Sequence, residues 1–310
     1  MLRAGLLWLS EQPRIFRFVR ANRLAKKLAS RFVAGETADS AVAVLKALNV
    51  GGITATLDLL GESVRDAAAA RGARDVYLET LDRIRQARAE SHVSLKLTQL
   101  GLDIDEAMCV ANVRAVATRA RQHGSFVRID MEGSAYTERT LELFRRRFHA
   151  EFADSIGVVL QSCLRRTEQD VTDLLALGAR VRLCKGAYKE PPEIAFPRKR
   201  DVDANYVACM ERLLERGNYP AIATHDSKLL AHAKAFTRRL GIPPSRFEFQ
   251  MLYGVRRDLQ RALRREGYNL RVYVPFGDQW YPYLMRRLAE RPANLAFLLG
   301  SVVKESLRRN

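Results

Sequence analysis

Eight short β-rich runs, each bounded by polar residues or by Gly and Pro, constrain this chain more than any other feature. They are Ile53–Leu60, Val93–Leu97, Phe126–Met131, Ile156–Gln161, Val181–Cys184, Ala221–Thr224, Phe247–Leu252 and Leu270–Val274. Most intervals between them carry apolar residues at helical spacing: Asp105–His123, Thr137–Phe152, Thr167–Leu177, Asp203–Arg216, Ser227–Leu240 and Arg256–Glu266. Strand followed by helix, repeated along the chain, predicts a parallel sheet. A run as continuously apolar as Ile156-Gly-Val-Val-Leu160 fits a strand covered on both faces. The count of eight, with no Gly-x-Gly-x-x-Gly turn after the first run, favours closure into a (β/α)8 barrel over an open doubly wound sheet.

Helical spacing also runs from about Arg14 to Ala34 and from Thr37 to Leu48, and Asn49-Val-Gly-Gly then breaks it. The expected organisation is an N-terminal helical segment over 1–48 and one catalytic barrel over 49–310. No Pro/Gly/Ser-rich linker divides the chain further. The four cysteines are scattered without a CxxC pair, so neither a disulfide framework nor a zinc site is expected, and a cytoplasmic compartment is the default. No apolar run reaches membrane-spanning length. A formal charge of +17 would draw any polyanion, whether nucleic acid, anionic lipid or a phosphate-bearing cofactor, and selects none of them. Basic groups such as Arg145-Arg146-Arg147, Arg238-Arg239 and Arg264-Arg265 read as solvated helix faces.

Barrels bind ligands at the carboxyl ends of their strands, and here nearly every run ends in polar residues. In order these are Asp58 with Gly61-Glu62, Lys96, Asp130 with Glu132, Gln161, Arg182 with Lys185, Thr224-His225-Asp226, Gln250 and Tyr273. One such residue is ordinarily a solvated cap or an ion-pair partner; eight in register indicate a site. With Arg286-Arg287 counted, the cations outnumber the nearby acids, which predicts a mouth that attracts anions. No HExxH motif, Walker loop or Ser/His/Asp order is present, so no metal site and no hydrolytic mechanism are expected.

Seven motifs then fall in order: Ser94-Leu-Lys-Leu-Thr98, Arg128-Ile-Asp-Met-Glu132, Leu160-Gln-Ser-Cys-Leu-Arg-Arg166, Arg182-Leu-Cys-Lys-Gly-Ala-Tyr188, Ala223-Thr-His-Asp226, Phe247-Glu-Phe-Gln-Met-Leu252 and Tyr283-Leu-Met-Arg-Arg-Leu-Ala-Glu290. Together they resemble the proline dehydrogenase family from about Gly51 to Asn294. The resemblance implies a distorted (β/α)8 barrel with its last helix over the strand ends, and FAD-dependent oxidation of L-proline to Δ1-pyrroline-5-carboxylate by hydride transfer to the flavin N5. It implies that Lys96, Arg286 and Arg287 bind the substrate carboxylate, which charge-assisted donors suit. Tyr188, Leu252, Tyr273 and Tyr283 would wall the proline ring.

By the same resemblance, Gln161, Arg182, the Lys185-Gly186-Ala187 turn, Thr224, His225, Gln250 and the backbone near Met131 hold FAD, with Arg182 beside N5. Asp130 matches an acid that orients the substrate-binding arginines, and with Arg182 makes the catalytic pair. Glu62 would pair with Arg287 as a gate. Electrons would pass to a membrane quinone. The basic amphipathic N-terminus, with Arg14, Arg17, Arg20 and Lys26 beside Phe16 and Phe18, has two readings: peripheral contact with the inner face of a membrane, or packing against the barrel. Larger relatives add further domains, for which 310 residues leave no room, and the segment between Tyr273 and Tyr283 is shorter here. Two other classes stay open at this point: another flavin barrel such as methylenetetrahydrofolate reductase, and a basic nucleic-acid-binding protein, although no nucleic-acid-binding motif supports the second. The oligomeric state is not legible.

Overall fold

The computed structural model describes residues 29–188 and 190–290, with residues 286–290 described by their backbone alone. Eight strands, β1 (Thr54–Leu59), β2 (Ser91–Leu95), β3 (Val127–Ile129), β4 (Ile156–Gln161), β5 (Arg180–Cys184), β6 (Ala221–Ala223), β7 (Glu248–Leu252) and β8 (Leu270–Phe276), pair in parallel and in chain order. Strand β1 pairs with both β2 and β8, which closes the barrel. The eight predicted runs are the eight strands, with ends shifted by up to two residues.

Helices fill the intervals. Helix α1 (Ala38–Val50) precedes the barrel and is capped by Thr37, whose side chain accepts the Ser40 N–H while the Ser40 hydroxyl reaches back to the Thr37 backbone N–H. It contributes Ala41, Val42 and Leu45 to the same core as the barrel. The interval between β1 and β2 holds α2 (Ala67–Gln86), a helix that the reading of the sequence left unassigned. Its buried residues Ala70, Tyr77, Leu81 and Ile84 keep helical spacing, but an Ala-rich first turn followed by Arg71-Gly72 weakens the pattern. Next come α3 (Glu106–Gln122), α4 (Ser134–Leu143), α5 (Thr167–Ala176), α6 (Lys199–Arg216), α7 (Ser227–Arg239), α8 (Arg257–Arg265) and α9 (Trp280–Glu290). Helix α4 passes into a π-helical stretch, Phe144–His149, that buries Phe144 and Phe148. On the solvent side of the same stretch, the Arg145 and Arg146 guanidiniums pair with Glu138 at 3.2 Å and Glu142 at 2.9 Å, as a solvated face should.

The apolar core lies between the outer face of the barrel and the helices. Leu57, Val93, Leu95, Ile129, Val158, Leu183, Met251 and Val274 all belong to it. The alternate residues of the same strands point into the barrel, as contacts between strands that are not neighbours require: Arg182 on β5 reaches Ser94 on β2, and Arg128 on β3 reaches the Arg180 carbonyl on β5. The lumen is therefore polar and charged, where a (β/α)8 barrel is usually filled by branched apolar side chains. Its lower layer is held by Arg271 on Glu248 at 2.9 Å and by Arg128 on the Val158 and Arg180 carbonyls.

Candidate active site

At the carboxyl ends of the strands the upper layer of the lumen converges on one carboxylate. Asp130, directly after β3, accepts hydrogen bonds of 2.7 Å from the Ser94 hydroxyl, the Arg182 guanidinium and the Tyr273 hydroxyl. The Arg182 guanidinium also lies over the Tyr273 ring, 5.2 Å from its centroid. Beside this cluster, Lys96 Nζ donates to Asp58 at 2.8 Å and stands 4.0 Å from Asp130. These six groups come from five different strands or strand ends, so only closure of the barrel brings them together.

The electrostatics follow from burial. Desolvation pushes the Asp58 carboxyl above the usual carboxylate range, with Lys96 pulling against it. Burial disfavours the Lys96 ammonium, but Asp58 and Asp130 outweigh it and hold its pKa above the ordinary lysine value. Burial, helped by the charges of Asp130 and Asp58, holds the Tyr273 hydroxyl far above its usual pKa, so it serves as a donor. The result is a largely buried cluster of two carboxylates, two cations and one neutral phenol.

A second group lies on the next strands. Lys185, just after β5, is clamped between Asp203 at 2.6 Å and Asp226 at 3.0 Å. Although burial opposes it, hydrogen bonding to Lys185 lowers the pKa of both carboxyls. Gly186 follows at φ +102°, where a Cβ would stand 3.0 Å from Gln161 Oε1 and would crowd Cys163 Sγ, so the turn needs glycine. Gln161 is buried and donates to the Glu132 carbonyl at 2.8 Å. Thr224 Oγ1 accepts the Asp226 N–H at 3.1 Å, and His225 Nε2 accepts the Leu252 N–H at 2.8 Å, which leaves Nδ1 as the protonated ring nitrogen. Gln250 is fixed by a 2.5 Å bond to Glu248.

The remaining expected residues border these two groups. Met131 and Tyr283 are buried, Leu252 is half-buried, and Tyr188 is exposed beside Gly133. Glu62 lies in the loop after β1 and is close enough to Lys96 to raise the lysine's pKa. That loop is tied down by Ser63 N–H donating to Thr98 Oγ1 at 2.9 Å, while the Thr98 hydroxyl donates to Glu132. The Arg286 and Arg287 side chains lie outside the described residues, as do Lys189 and the basic N-terminal stretch up to residue 28. Helix α9, which carries both arginines, packs through Trp280, Tyr281, Tyr283, Leu284 and Met285.

One expectation is corrected. The described cations of the mouth do not outnumber their acids: Lys96 has Asp58, Arg182 has Asp130, and Lys185 has Asp203 and Asp226. Buried cations need such partners because desolvation of a lone charge is prohibitive. In the sequence Asp58, Glu132 and Asp226 are strand-ending acids with nothing to show which cation each meets, and Ser94 stands only within a motif. Their alternation with the apolar residues of the strands was the signal available.

A family profile, "Proline dehydrogenase", matches residues 41–299. The chain is 41% identical over 307 residues to proline dehydrogenase 1 of Bacillus subtilis, covering 98% of this chain and 100% of that protein. It is 39% identical over 307 residues to proline dehydrogenase of Deinococcus radiodurans, covering 98% of each. Among solved structures, proline utilization A from Bdellovibrio bacteriovorus, inactivated by N-propargylglycine, superposes with a TM-score of 0.82 at 27% identity, over 96% of this chain and 39% of that longer one.

Proposed function

The chain belongs to the proline dehydrogenase family and is an oxidoreductase of proline catabolism; from that premise we propose how its residues do the work, with FAD as cofactor and a quinone as electron acceptor. The observation that carries the reading is the convergence of Lys96, Arg182 and Tyr273 on Asp58 and Asp130 at the strand ends.

The residues suit a flavin dinucleotide. Arg182 Nε is buried without a hydrogen-bond partner, a donor left over for a ligand. Gly186 makes a tight turn beside Gln161, and Lys185, Thr224, His225 and Gln250 offer the mixed cationic and hydrogen-bonding set that a pyrophosphate and a flavin ring require. We assign these residues, with the backbone at Met131 and Ala187, to the cofactor. FAD, when bound, supplies the hydride acceptor for proline.

Lys96 then receives the proline carboxylate, with Arg286 and Arg287 as its partners from α9. Its ammonium stays charged at every physiological pH because Asp58 and Asp130 hold its pKa up. Asp130 orients Arg182 and Tyr273, and all three of its short bonds are accepted from other groups. Tyr188, Leu252, Tyr273 and Tyr283 exclude water from the ring of the substrate, and Glu62 closes the mouth against Arg287. Among the described residues no helix is long and apolar enough to cross a membrane; electron transfer to a membrane quinone would be made from a cytoplasmic, peripheral position.

The test is spectroscopic. Purified protein should carry non-covalent flavin that bleaches on adding L-proline but not D-proline, and should reduce a soluble quinone analogue. A protein that stays colourless after FAD supplementation overturns the cofactor assignment. Arg286→Met and Arg287→Met should each raise KM for proline with flavin content retained; loss of flavin at unchanged KM would move the pair to the cofactor.

A further inference from the structure

The lower layer of the lumen keeps a surplus of positive charge that the mouth does not. Inward positions alternate along a strand, so the residues two before Asp58, Ser94, Asp130, Arg182, Gln250 and Tyr273 share their side. They are Thr56, His92, Arg128, Arg180, Glu248 and Arg271. Three arginines thus stand with one carboxylate. Arg271 takes Glu248 at 2.9 Å, whereas neither Arg128 nor Arg180 meets a carboxylate at ion-pair distance among the described residues. Arg128 donates to the Val158 and Arg180 carbonyls, which satisfy a donor but cancel no charge.

Three of these groups crowd one ring. The Arg128 and Arg180 guanidiniums lie 4.9 and 4.7 Å from the Phe126 centroid, and the His92 imidazole packs on it at 5.1 Å. Tyr219 backs Arg180 at 4.9 Å. Aromatic faces ease the cost of a buried cation without neutralising it. Donors are left over as well. The Thr56 hydroxyl, on a residue only 1% exposed, and Arg180 Nε are buried with no hydrogen-bond partner. Burial, then the charges of Arg271, Arg128 and Arg180, hold the His92 imidazole well below its usual pKa, so the ring is neutral and one nitrogen keeps a proton to donate. A charge as deeply buried as that of Arg128, 4% exposed, ordinarily has a counter-charge, because desolvating a lone ion is prohibitive.

We propose that the lower lumen binds one small inorganic anion of halide size, held by Arg128, Arg180, the Thr56 hydroxyl and the His92 N–H. A spherical anion accepts from any direction, which suits donors arriving from the four strands β1, β2, β3 and β5. It supplies the counter-charge that Glu248, already paired with Arg271, does not. The site lies one layer below the Asp130 cluster, so the inference stands apart from the assignment of proline and cofactor at the mouth.

The test is thermal unfolding of the purified full-length protein, dialysed into sodium gluconate and then titrated with sodium chloride at constant ionic strength. Chloride should raise the melting temperature by roughly 5 °C and saturate, as a ligand of the folded state does. Thr56→Val keeps the shape and removes the hydroxyl, so it should weaken the apparent affinity for chloride about fivefold, the scale of one hydrogen bond. Arg180→Met should abolish the chloride response. In gluconate it should melt no lower than the wild type, because it removes a buried cation that lacks a partner; an arginine with a purely structural role would lower the melting temperature equally in both salts. If Arg180→Met does not fold, Thr56→Val and crystallography decide. Crystals grown in sodium bromide should show an anomalous peak between Thr56, Arg128 and Arg180. A melting temperature that follows ionic strength alone, an affinity unmoved by Thr56→Val, or a lumen that holds water only in bromide overturns the inference.

Discussion

Lys96 is held by Asp58, at 2.8 Å, rather than by Asp130, which stands 4.0 Å away and is occupied by three other donors. The division of labour between the two carboxylates has a consequence for mutation. Asp58→Asn keeps the shape but leaves a buried ammonium without its partner, and breaking a buried pair from one side typically costs about 3–5 kcal/mol. Denaturant unfolding should show a loss of that size, and KM for proline should rise because Lys96 is no longer aimed. Replacing both residues, Asp58→Asn with Lys96→Met, should restore much of the stability but not the activity. A double variant no more stable than the single would show that the pair does not govern folding here.

The Lys185 clamp predicts a pH dependence. The pKa values of Asp203 and Asp226 are lowered from their ordinary value of 3.8: burial is the largest single effect and raises them, but the hydrogen bonds and charges of Lys185 and Lys199, with the Lys228 N–H on Asp226, together outweigh it. A carboxyl with a depressed folded pKa binds protons more readily in the unfolded chain, so its contribution is fully present above about 3.8 and is lost as pH falls through the folded value. Stability measured from pH 7 downward should therefore hold to about pH 5 and fall below pH 4. Asp203→Asn together with Asp226→Asn should flatten that fall. Equal slopes in the wild type and the variant would mean that other groups govern acid unfolding.

Gly157 on β4 allows the lower charged layer to exist. A Cβ there would collide with the Arg180 carbonyl, would stand 2.5 Å from Arg128 Nη1 and would press on the Phe126 ring at 2.9 Å. The first of these is backbone and cannot rotate away. Gly157→Ala should therefore destabilise by about 1–3 kcal/mol, the range for overpacking, or more if Arg128 loses its carbonyl partners. Thermal unfolding measures it, and an unchanged melting temperature would show that the strands can part locally at little cost.

How much of this was legible in the sequence differs between fold and site. Strand count, order and closure were readable because each run is short and bounded by polar residues or by Gly and Pro, and most are followed by a helical pattern. The inward face was harder. In Arg180-Val-Arg-Leu-Cys184 and Glu248-Phe-Gln-Met-Leu252 the polar residues alternate as on a half-exposed strand, yet both segments are buried and the polar side turns into the barrel. Alternation alone does not say which side is wet. For the same reason Lys96, Arg182 and Lys185 looked like an excess of positive charge. Their acids lie on other strands and helices, 18 to 52 residues away, and the closed barrel brings them into contact. Asp130 was legible as a site residue through resemblance, but its three donors were not, since Ser94, Arg182 and Tyr273 come from three separate strands.

The last prediction separates the hydroxyl of Tyr273 from its ring. The hydroxyl donates to Asp130 at 2.7 Å, whereas the ring carries the Arg182 guanidinium at 5.2 Å and, in the proposed pocket, packs against the substrate. Tyr273→Phe removes the first and keeps the second. Asp130 would retain Ser94 and Arg182, so the loss should be that of one hydrogen bond to a charged group, about 1.5–3 kcal/mol. A cycle with Asp130→Asn should assign most of that loss to this pair, as a coupling of about 0.5–3 kcal/mol. Tyr273→Ser removes the ring as well and opens space where a substrate hydroxyl could fit and find a partner. The ratio of kcat/KM for 4-hydroxyproline over proline should therefore stay near the wild-type value in Tyr273→Phe and rise in Tyr273→Ser, even as both absolute rates fall, because the ratio reports differential binding in the transition state. A ratio that moves equally in both variants would place the hydroxyl, and not the ring, against the substrate.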